Sequence, residues 1–285
     1  MAPPQALTPR RLLNLALLAA VVLLGTYAWL GRKQPAADAH PVSALDPAAV
    51  ALVRVERPGQ PPIALEKRGG AWRMTSPLAA RAEPIQVQRL LGFLTATSRQ
   101  RLPARELERF ELDRPVARII ADGETFSFGS LNPVTGGQYV QAGDWVYLLD
   151  SRRTAEALLP ANRLLSPRLL AEEEVPTGFE LGEVSLKQAA DGKWLLQPAP
   201  AEPASQDDLN RWVQEWRIAL AQQVTPLAPG VKAVAVVRVT LAGGAVVTIE
   251  VLAREPETVL ARPDENLEYR FPKAVGERLL ALPKE

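Results

Sequence analysis

Two stretches decide how this chain is read: GGAWRMTSP, Gly69–Pro77, and DGKWLLQP, Asp191–Pro198. Each sets a tryptophan, Trp72 or Trp194, just after a glycine-containing turn and ends in proline. The same distance onward from each tryptophan lies an apolar stripe. Val87, Leu90, Leu91 and Leu94 fall at i, i+3, i+4 and i+7, and so do Leu209, Trp212, Val213 and Trp216. That spacing is the core-facing side of an amphipathic helix. Ser205, with Asp208 three residues on, predicts a capped start for the second helix.

The correspondence continues downstream. VARIIADGETFSF, Val116–Phe128, lines up with VVRVTLAGGAVVT, Val236–Thr248, with Arg118 opposite Arg238 and Gly123 opposite Gly243. Both read as strand, tight turn, strand. Tyr139-Val140 then meets Val259-Leu260, and VYLL at Val146–Leu149 meets LEYR at Leu267–Arg270. A short helix closes each copy, at Thr154–Leu159 and at Lys273–Leu280. The expected fold is α+β: two duplicated modules of antiparallel sheet with helices packed on one face, residues 48–172 and 173–285. Glu172-Glu173-Glu174 reads as a charged hinge between them. Two like copies can form a groove at their contact, where ligand sites favour domain interfaces.

Ahead of the modules, Leu12–Leu30 reads LLNLALLAAVVLLGTYAWL, without a charge. As a helix it is roughly 28 Å long, close to the hydrocarbon thickness of a bilayer. Tyr27 and Trp29 sit near one end, where aromatic residues favour the interface. The alternative, a cleaved signal peptide ending at Ala37-Asp38-Ala39, fits less well, because the apolar run is long and Arg32 and Lys33 separate it from that site. The reading is a transmembrane signal anchor after a short cytoplasmic tail (1–11), with an Ala/Pro-rich tether over residues 31–47. Arg10 and Arg11 before the span predict that the bulk of the chain lies outside the cytoplasm, as a periplasmic domain on a bacterial inner membrane.

Composition removes several function classes. Lys+Arg number 33 against 32 Asp+Glu, so no basic excess points to nucleic acid. Cysteine is absent, which removes disulfides, thiolate nucleophiles and Cys/His zinc sites. The single histidine, His40, falls in the tether and cannot serve a Ser-His-Asp triad. No Asp-x-Asp-x-Asp-Gly calcium loop occurs. Asp207 and Asp208 suit a helix N-terminus, and Glu106 and Glu108 do not form a matched acid–base pair. The expectation is therefore no catalytic, metal or cofactor residues. Arg99, Arg101, Arg105 and Arg109 cluster after the first helix, interleaved with acids, as a solvated surface or a contact for lipid head groups.

FGSLNPVTGGQYV, Phe128–Val140, resembles a phosphate loop at first sight. No Lys-Ser/Thr follows Gly136-Gly137, and the segment opens onto a strand pattern rather than a helix. The second copy has glycine-free EVLAREPE, Glu250–Glu257, at this place. The loop thus connects two meander strands, with Gly136-Gly137 supplying positive φ. Because the copies differ here, Asn132, Thr135, Gly136, Gly137 and Tyr139 are the candidate contacts for a partner or ligand. Trp145 in AGDWVYLL joins them as the most exposed tryptophan expected, since an aromatic beside a loop is a common hot spot. Trp72, Trp194, Trp212 and Trp216 read as core.

GGAWRMTSP, ELERFELDRPVARI at Glu106–Ile119 and FGSLNPVTGGQYVQAGDWVYLLD at Phe128–Asp150 together resemble a bacterial family known as domain of unknown function 4340. Its middle motif usually has Gly before Leu-Asp-x-Pro, where this chain has Glu111. The resemblance implies a single-span envelope protein, in some members a partner of ABC-type export or gliding-motility systems, and supplies no catalytic residue. Two expectations for function follow. One is a non-catalytic, membrane-anchored scaffold or accessory subunit of an envelope complex. The other is a periplasmic module binding an envelope glycan, lipid or peptide in the groove.

Overall fold

The computed structural model describes residues 17–26, 39–199 and 204–283. Residues 17–26 form a helix, α1, with exposed side chains. The rest of the expected span Leu12–Leu30, the tail 1–11 and tether residues 31–38 lie outside the described residues. Among the described residues no helix is long and apolar enough to cross a membrane.

The remainder is α+β, built on two large antiparallel sheets. The first contains β2 (Leu52–Glu56), β3 (Ile63–Arg68), β4 (Ala71–Ser76), β5 (Ala80–Arg81), β7 (Arg101–Pro103), β8 (Ala117–Ala121), β9 (Glu124–Leu131), β10 (Gln138–Ala142) and β11 (Trp145–Leu149). Its order is β5-β4-β3-β2-β8-β9-β10-β11-β7. The second contains β12 (Pro176–Leu181), β13 (Val184–Gln188), β14 (Trp194–Gln197), β15 (Gln223–Pro226), β16 (Ala235–Leu241), β17 (Val246–Ala253), β18 (Glu257–Arg262) and β19 (Leu267–Pro272), in the order β14-β13-β12-β16-β17-β18-β19-β15. With β5 set aside, the two orders coincide strand for strand. A bulge interrupts β9–β10 between Gln138 and Val140, and another interrupts β17–β18 at the matching place, between Val251 and Ala253.

Alternation places the core. In β2 Val53 and Val55 are buried while Leu52 and Arg54 face out. In β16 Val237, Val239 and Leu241 are buried while Val236 and Arg238 face out. The buried faces receive the helices. α2 (Pro84–Leu90) tightens into a 3-10 turn, Leu91–Thr95, and together they bury Val87, Leu90, Leu91, Phe93 and Leu94. α4 (Gln206–Ile218) buries Leu209, Trp212, Val213 and Trp216. Both stripes therefore point inward at the expected spacing. Ser205 caps α4 by accepting from the Asp208 amide at 3.1 Å. The closing helices are α3 (Ser151–Ala155, with a further turn to Leu158) and α5 (Lys273–Leu280). Phe179 of β12 lies 4.8 Å from the Trp212 ring and 5.4 Å from Trp216, whose indole N–H donates to the Leu279 carbonyl at 3.0 Å. Helices and both sheets share one hydrophobic core.

Two details of the sequence alignment shift by one residue. The β8–β9 turn holds Asp122 and Gly123, whereas β16 and β17 are joined through Ala242, Gly243 and Gly244, with Leu241 bonded to Ala245. Beyond that turn Phe126 matches Val247, not Val246. Likewise Pro103 pairs Trp145 and Pro226 pairs Leu267, so Trp145 matches Leu267 and Tyr147 matches Tyr269. The expected match of Val146 with Leu267 would put side chains on opposite faces, because strand periodicity is two.

The chain also joins the fold earlier than the expected boundary at residue 48. β1 (His40–Pro41) pairs with β6 (Thr97–Ser98), Val42 donates to the Ala96 carbonyl, and the Val42 side chain is buried. The connection between the halves repeats this geometry. Leu169 donates to Ala219, Ala221 donates to Pro167, and Arg168 bridges Leu220. Each half is thus led in by a short antiparallel segment laid against the residues after its long helix. The interdomain segment is bonded on its other side too: Glu83 donates to Leu164 and Ser166 donates to Arg81. A chain so bonded on both sides is a packed strap rather than a hinge.

Two positions test this packing. In α5, Gly276 lies against Thr258 of β18, and a Cβ there would overlap the Thr258 side chain. Gly276→Ala is expected to destabilise by about 1–3 kcal/mol, measured by thermal or urea unfolding. Glu111 sits at φ 55°, in the left-handed region, where the resembled family has glycine. Relief of about 1–2 kcal/mol of left-handed strain, against about 0.5–1 kcal/mol for glycine's extra unfolded-state entropy, makes Glu111→Gly neutral to mildly stabilising in the same assay. A loss of stability would show that the Glu111 side chain contributes more than its strain costs.

Candidate functional site at the junction of the two halves

The six candidate residues from the sequence do not converge on one place. Asn132, Thr135, Gly136 and Gly137 form the tight β9–β10 connection. The Asn132 side-chain oxygen accepts from the Val134 and Thr135 amides at 2.9 and 3.0 Å, and its amide nitrogen donates to the Tyr139 hydroxyl at 2.7 Å. Gly136 has φ 68°, as expected. Gly137 does not have positive φ; glycine serves there because a Cβ would press on Leu148 and the Leu149 carbonyl, both at 3.0 Å. The connection satisfies its own polar groups, which makes it a rigid turn. Trp145 is at the other end of the β10–β11 hairpin, opposite Ala142 rather than Gln138. Five residues of strand put it about 13 Å along the sheet from the Asn132 turn. Its indole is half-buried, with the Arg101 guanidinium 4.3 Å above the ring.

The main concentration of buried charge lies elsewhere, where the halves meet. Arg81 on β5 projects from the first sheet. Its guanidinium donates to both Glu265 oxygens at 2.6 and 3.1 Å, to the Tyr269 hydroxyl at 3.1 Å and to the Arg168 carbonyl at 2.8 Å. Tyr269 in turn donates to Glu265 at 2.5 Å. Beside it Arg262, at the end of β18 and 3% exposed, forms a fork with Glu174 at 2.7 and 2.9 Å. It reaches Asp264 at 2.6 Å and the Leu169 carbonyl at 3.1 Å. Glu174 also accepts from the Ala171 amide at 2.7 Å. Glu174, expected to be part of a solvated hinge, is instead an anchor. The Pro263–Asn266 turn supplies two of the acids, and the strap supplies the third acid and two carbonyls.

The electrostatics follow from the pairing. Burial pushes the Glu174 carboxyl up, but hydrogen bonds from Arg262 and from the Ala171 amide, with the Arg262 charge, outweigh it and hold Glu174 below the ordinary range. Asp264 is lowered in the same way: burial opposes, and hydrogen bonding and charge from Arg262 prevail. Burial also opposes the charge on Arg81 and Arg262, yet their carboxylate partners raise both. Burial chiefly raises the Tyr269 phenol, keeping it a neutral donor.

The strap runs extended past this cluster, so its alternate residues face opposite sides. On one side Ser166 and Arg168 line a cleft of ≈ 470 Å³ with Trp72, Arg73, Glu83 and Ile85. On the other Leu165 and Pro167 line one of ≈ 380 Å³ with Gln86 and Gln222. The first has an apolar floor and a wall of mixed sign, including the Arg168–Glu172 pair at 3.3 Å. The second cleft takes residues from both halves, whereas the first is lined by the first half and the strap. Among the described residues no cluster of three or more His, Cys, Asp or Glu is placed to hold a metal ion.

Sequence reasoning missed Arg81, Arg262, Glu265 and Tyr269. A signal was present: Arg262 ends the otherwise apolar run TVLA, and Glu268 and Tyr269 sit inside the strand LEYRF. Charged residues within apolar runs ask for partners, but the partner halves are 184 residues apart for Arg81 and Glu265.

Removing one side of this network leaves an unpaired buried charge. Arg262→Ala is expected to cost about 3–5 kcal/mol by chemical unfolding. The lowered carboxyls also set a pH dependence. Their folded-state pKa values lie below the unfolded ones, so their stabilisation is complete at neutral pH and is lost as pH falls below about 4. Glu174→Gln with Asp264→Asn should lower Tm at pH 7 and flatten its decline between about pH 5 and 2. An acid limb unchanged by the double substitution would place the titrating groups elsewhere.

No curated protein matches this chain, and no solved structure does. A family match runs over residues 72–243, from Trp72 in β4, across the strap, to the turn after β16. It thus includes Arg81 and Glu174 and spans the junction rather than one half. Covering more than half of the chain, that match makes it a member of the family described as Domain of unknown function (DUF4340).

Proposed function

We propose that this protein is a non-catalytic, membrane-anchored scaffold or accessory subunit of a bacterial envelope complex, made of a duplicated module carried by the Leu12–Leu30 helix. The partner class implied by the family resemblance is an ABC-type exporter, with the two modules in the periplasm. The observation that carries this reading is the use of the buried ionisable groups. Arg81 of the first module is paired with Glu265 of the second, beside the Arg262–Glu174 pair that holds the strap, which ties the two modules together. Rigid, duplicated surfaces held at a membrane suit the presentation of partners to each other. The common strand order, the matching bulges and the matching lead-in segments support the duplication.

Mild crosslinking in intact membranes, detergent extraction and mass spectrometry test the proposal. The expected outcome is a multi-span membrane protein recovered with the full chain and lost when Arg262→Ala loosens the body. Recovery of the chain alone in crosslinked membranes overturns it.

The larger cleft beside the strap favours a second reading, a binding module for an envelope glycan, lipid or peptide. Its floor of Trp72 and Ile85 beside Arg73 and Glu83 offers apolar contact with charge of both signs. Thermal shift with cell-wall fragments, lipids and peptides is expected to raise Tm for one class, and Ile85→Glu to remove that rise. No shift with any class disfavours this reading.

A further inference from the structure

We propose that the β7 edge of the first sheet, with Arg99, Arg101, Arg105, Leu102 and Trp145, rests on the anionic phospholipid headgroups of the membrane in which the chain is anchored. This rests on the anchored reading given above.

The lead-in geometry sets the distance. The apolar run ends at Leu30 and the fold begins at His40, ten residues later. Such a length spans at most about 35 Å, so the corner formed by β1 and β6 stays near the bilayer. His40 pairs with Ser98, and Arg99 is the next residue. From there the chain runs into β7, at the edge of its sheet.

The character of that edge matches a headgroup layer. Arg99, Arg101, Leu102 and Arg105 are exposed. Among the described residues none of these three arginines is in an ion pair, while neighbouring Arg109 is paired with Glu106 at 2.7 Å. Leu102, 45% exposed, and Trp145, beneath Arg101 at 4.3 Å, add apolar surface and an interfacial aromatic. The nearby acids are Asp144, in the turn beside Trp145, Glu106, which is paired with Arg109, and Glu108.

The second sheet supplies an internal control. Arg101 pairs Tyr147 as Val224 pairs Tyr269, and Trp145 pairs Pro103 as Leu267 pairs Pro226. At the positions of Arg101 and Trp145 the second half therefore has Val224 and Leu267, which are 4% and 1% exposed. The strap turn Ala161–Leu164 packs against β15 there. The same architectural site is sealed and apolar in the half far from the tether, and cationic and open in the half beside it.

Because the chain has no cysteine, one introduced thiol reports cleanly. The full chain is placed in nanodiscs of phosphatidylcholine alone or with about one-third phosphatidylglycerol, carrying Leu102→Cys or, as control, Val134→Cys, each bearing a nitroxide. The expected result is shielding of position 102 from an aqueous relaxation agent in anionic discs only, with position 134 open in both. The docked-to-free ratio should fall about fivefold for each of Arg99→Gln, Arg101→Gln and Arg105→Gln, the equivalent of about 1 kcal/mol per cation. For the unsubstituted arginines, salt at about 0.5 M should also undo the shielding. Equal access at 102 and 134 in anionic discs that carry the chain overturns the inference and leaves the anchor standing. Shielding that ignores lipid charge and salt also overturns it, in favour of a protein or self contact. A chain that elutes apart from the discs overturns the anchored reading and this inference with it.

Discussion

A buried guanidinium needs its donors met by acceptors and its charge met by carboxylates, and this fold meets both needs for two guanidinia at one place. Arg81 comes from the first sheet, Arg262 and Glu265 from the second, and Glu174 from the strap between them. The Arg81–Glu265 pair joins the halves directly. The strap carbonyls of Arg168 and Leu169 accept from Arg81 of the first sheet and Arg262 of the second, so the strap is held by both. The network therefore fixes where the strap lies, and the strap fixes the two clefts. Such pairs contribute less to net stability than their distances suggest, because desolvation offsets much of the attraction. Their effect is on arrangement: other dockings of the two apolar faces would leave the same charges buried and unpaired.

Much of the architecture was legible in the sequence because it is written locally. The two helix stripes bury every residue that the i, i+3, i+4, i+7 spacing named. The tight turns fall where Gly123 and Gly243 placed them, and the closing helices fall at the expected ends. What failed was register. An extra residue in the Ala242–Gly244 turn, and two more in the Pro263–Asn266 turn than in its Gly143-Asp144 counterpart, leave the composition of the flanking strands unchanged, yet each shifts the match of the strand that follows. Pairing partners reveal such a slip, and a single strand does not.

The candidate site was legible only as a location. Two packed copies implied a groove between them; the clefts instead follow the strap, and only the smaller one takes residues from both halves. Glu174 looked like one of three solvated acids because nothing within several residues of it carries a matching cation. The loop Asn132–Gly137 stood out for the opposite reason: its unusual composition is local, and so is its chemistry. The family match, which starts in β4 and ends after β16, takes in Arg81 and Glu174 of the ion network but not Arg262, Asp264, Glu265 or Tyr269.

The lead-in segments also set a load path. Tension on the chain at His40 falls first on the two residue pairs of β1–β6, the Val42 amide bond to Ala96 and the buried Val42 side chain. The matching segment at Pro167–Leu169 is backed as well by the Arg81 and Arg262 contacts to its carbonyls. Opening the outer clasp would free only the few residues from His40 to Val42, without touching the contacts of the inner one.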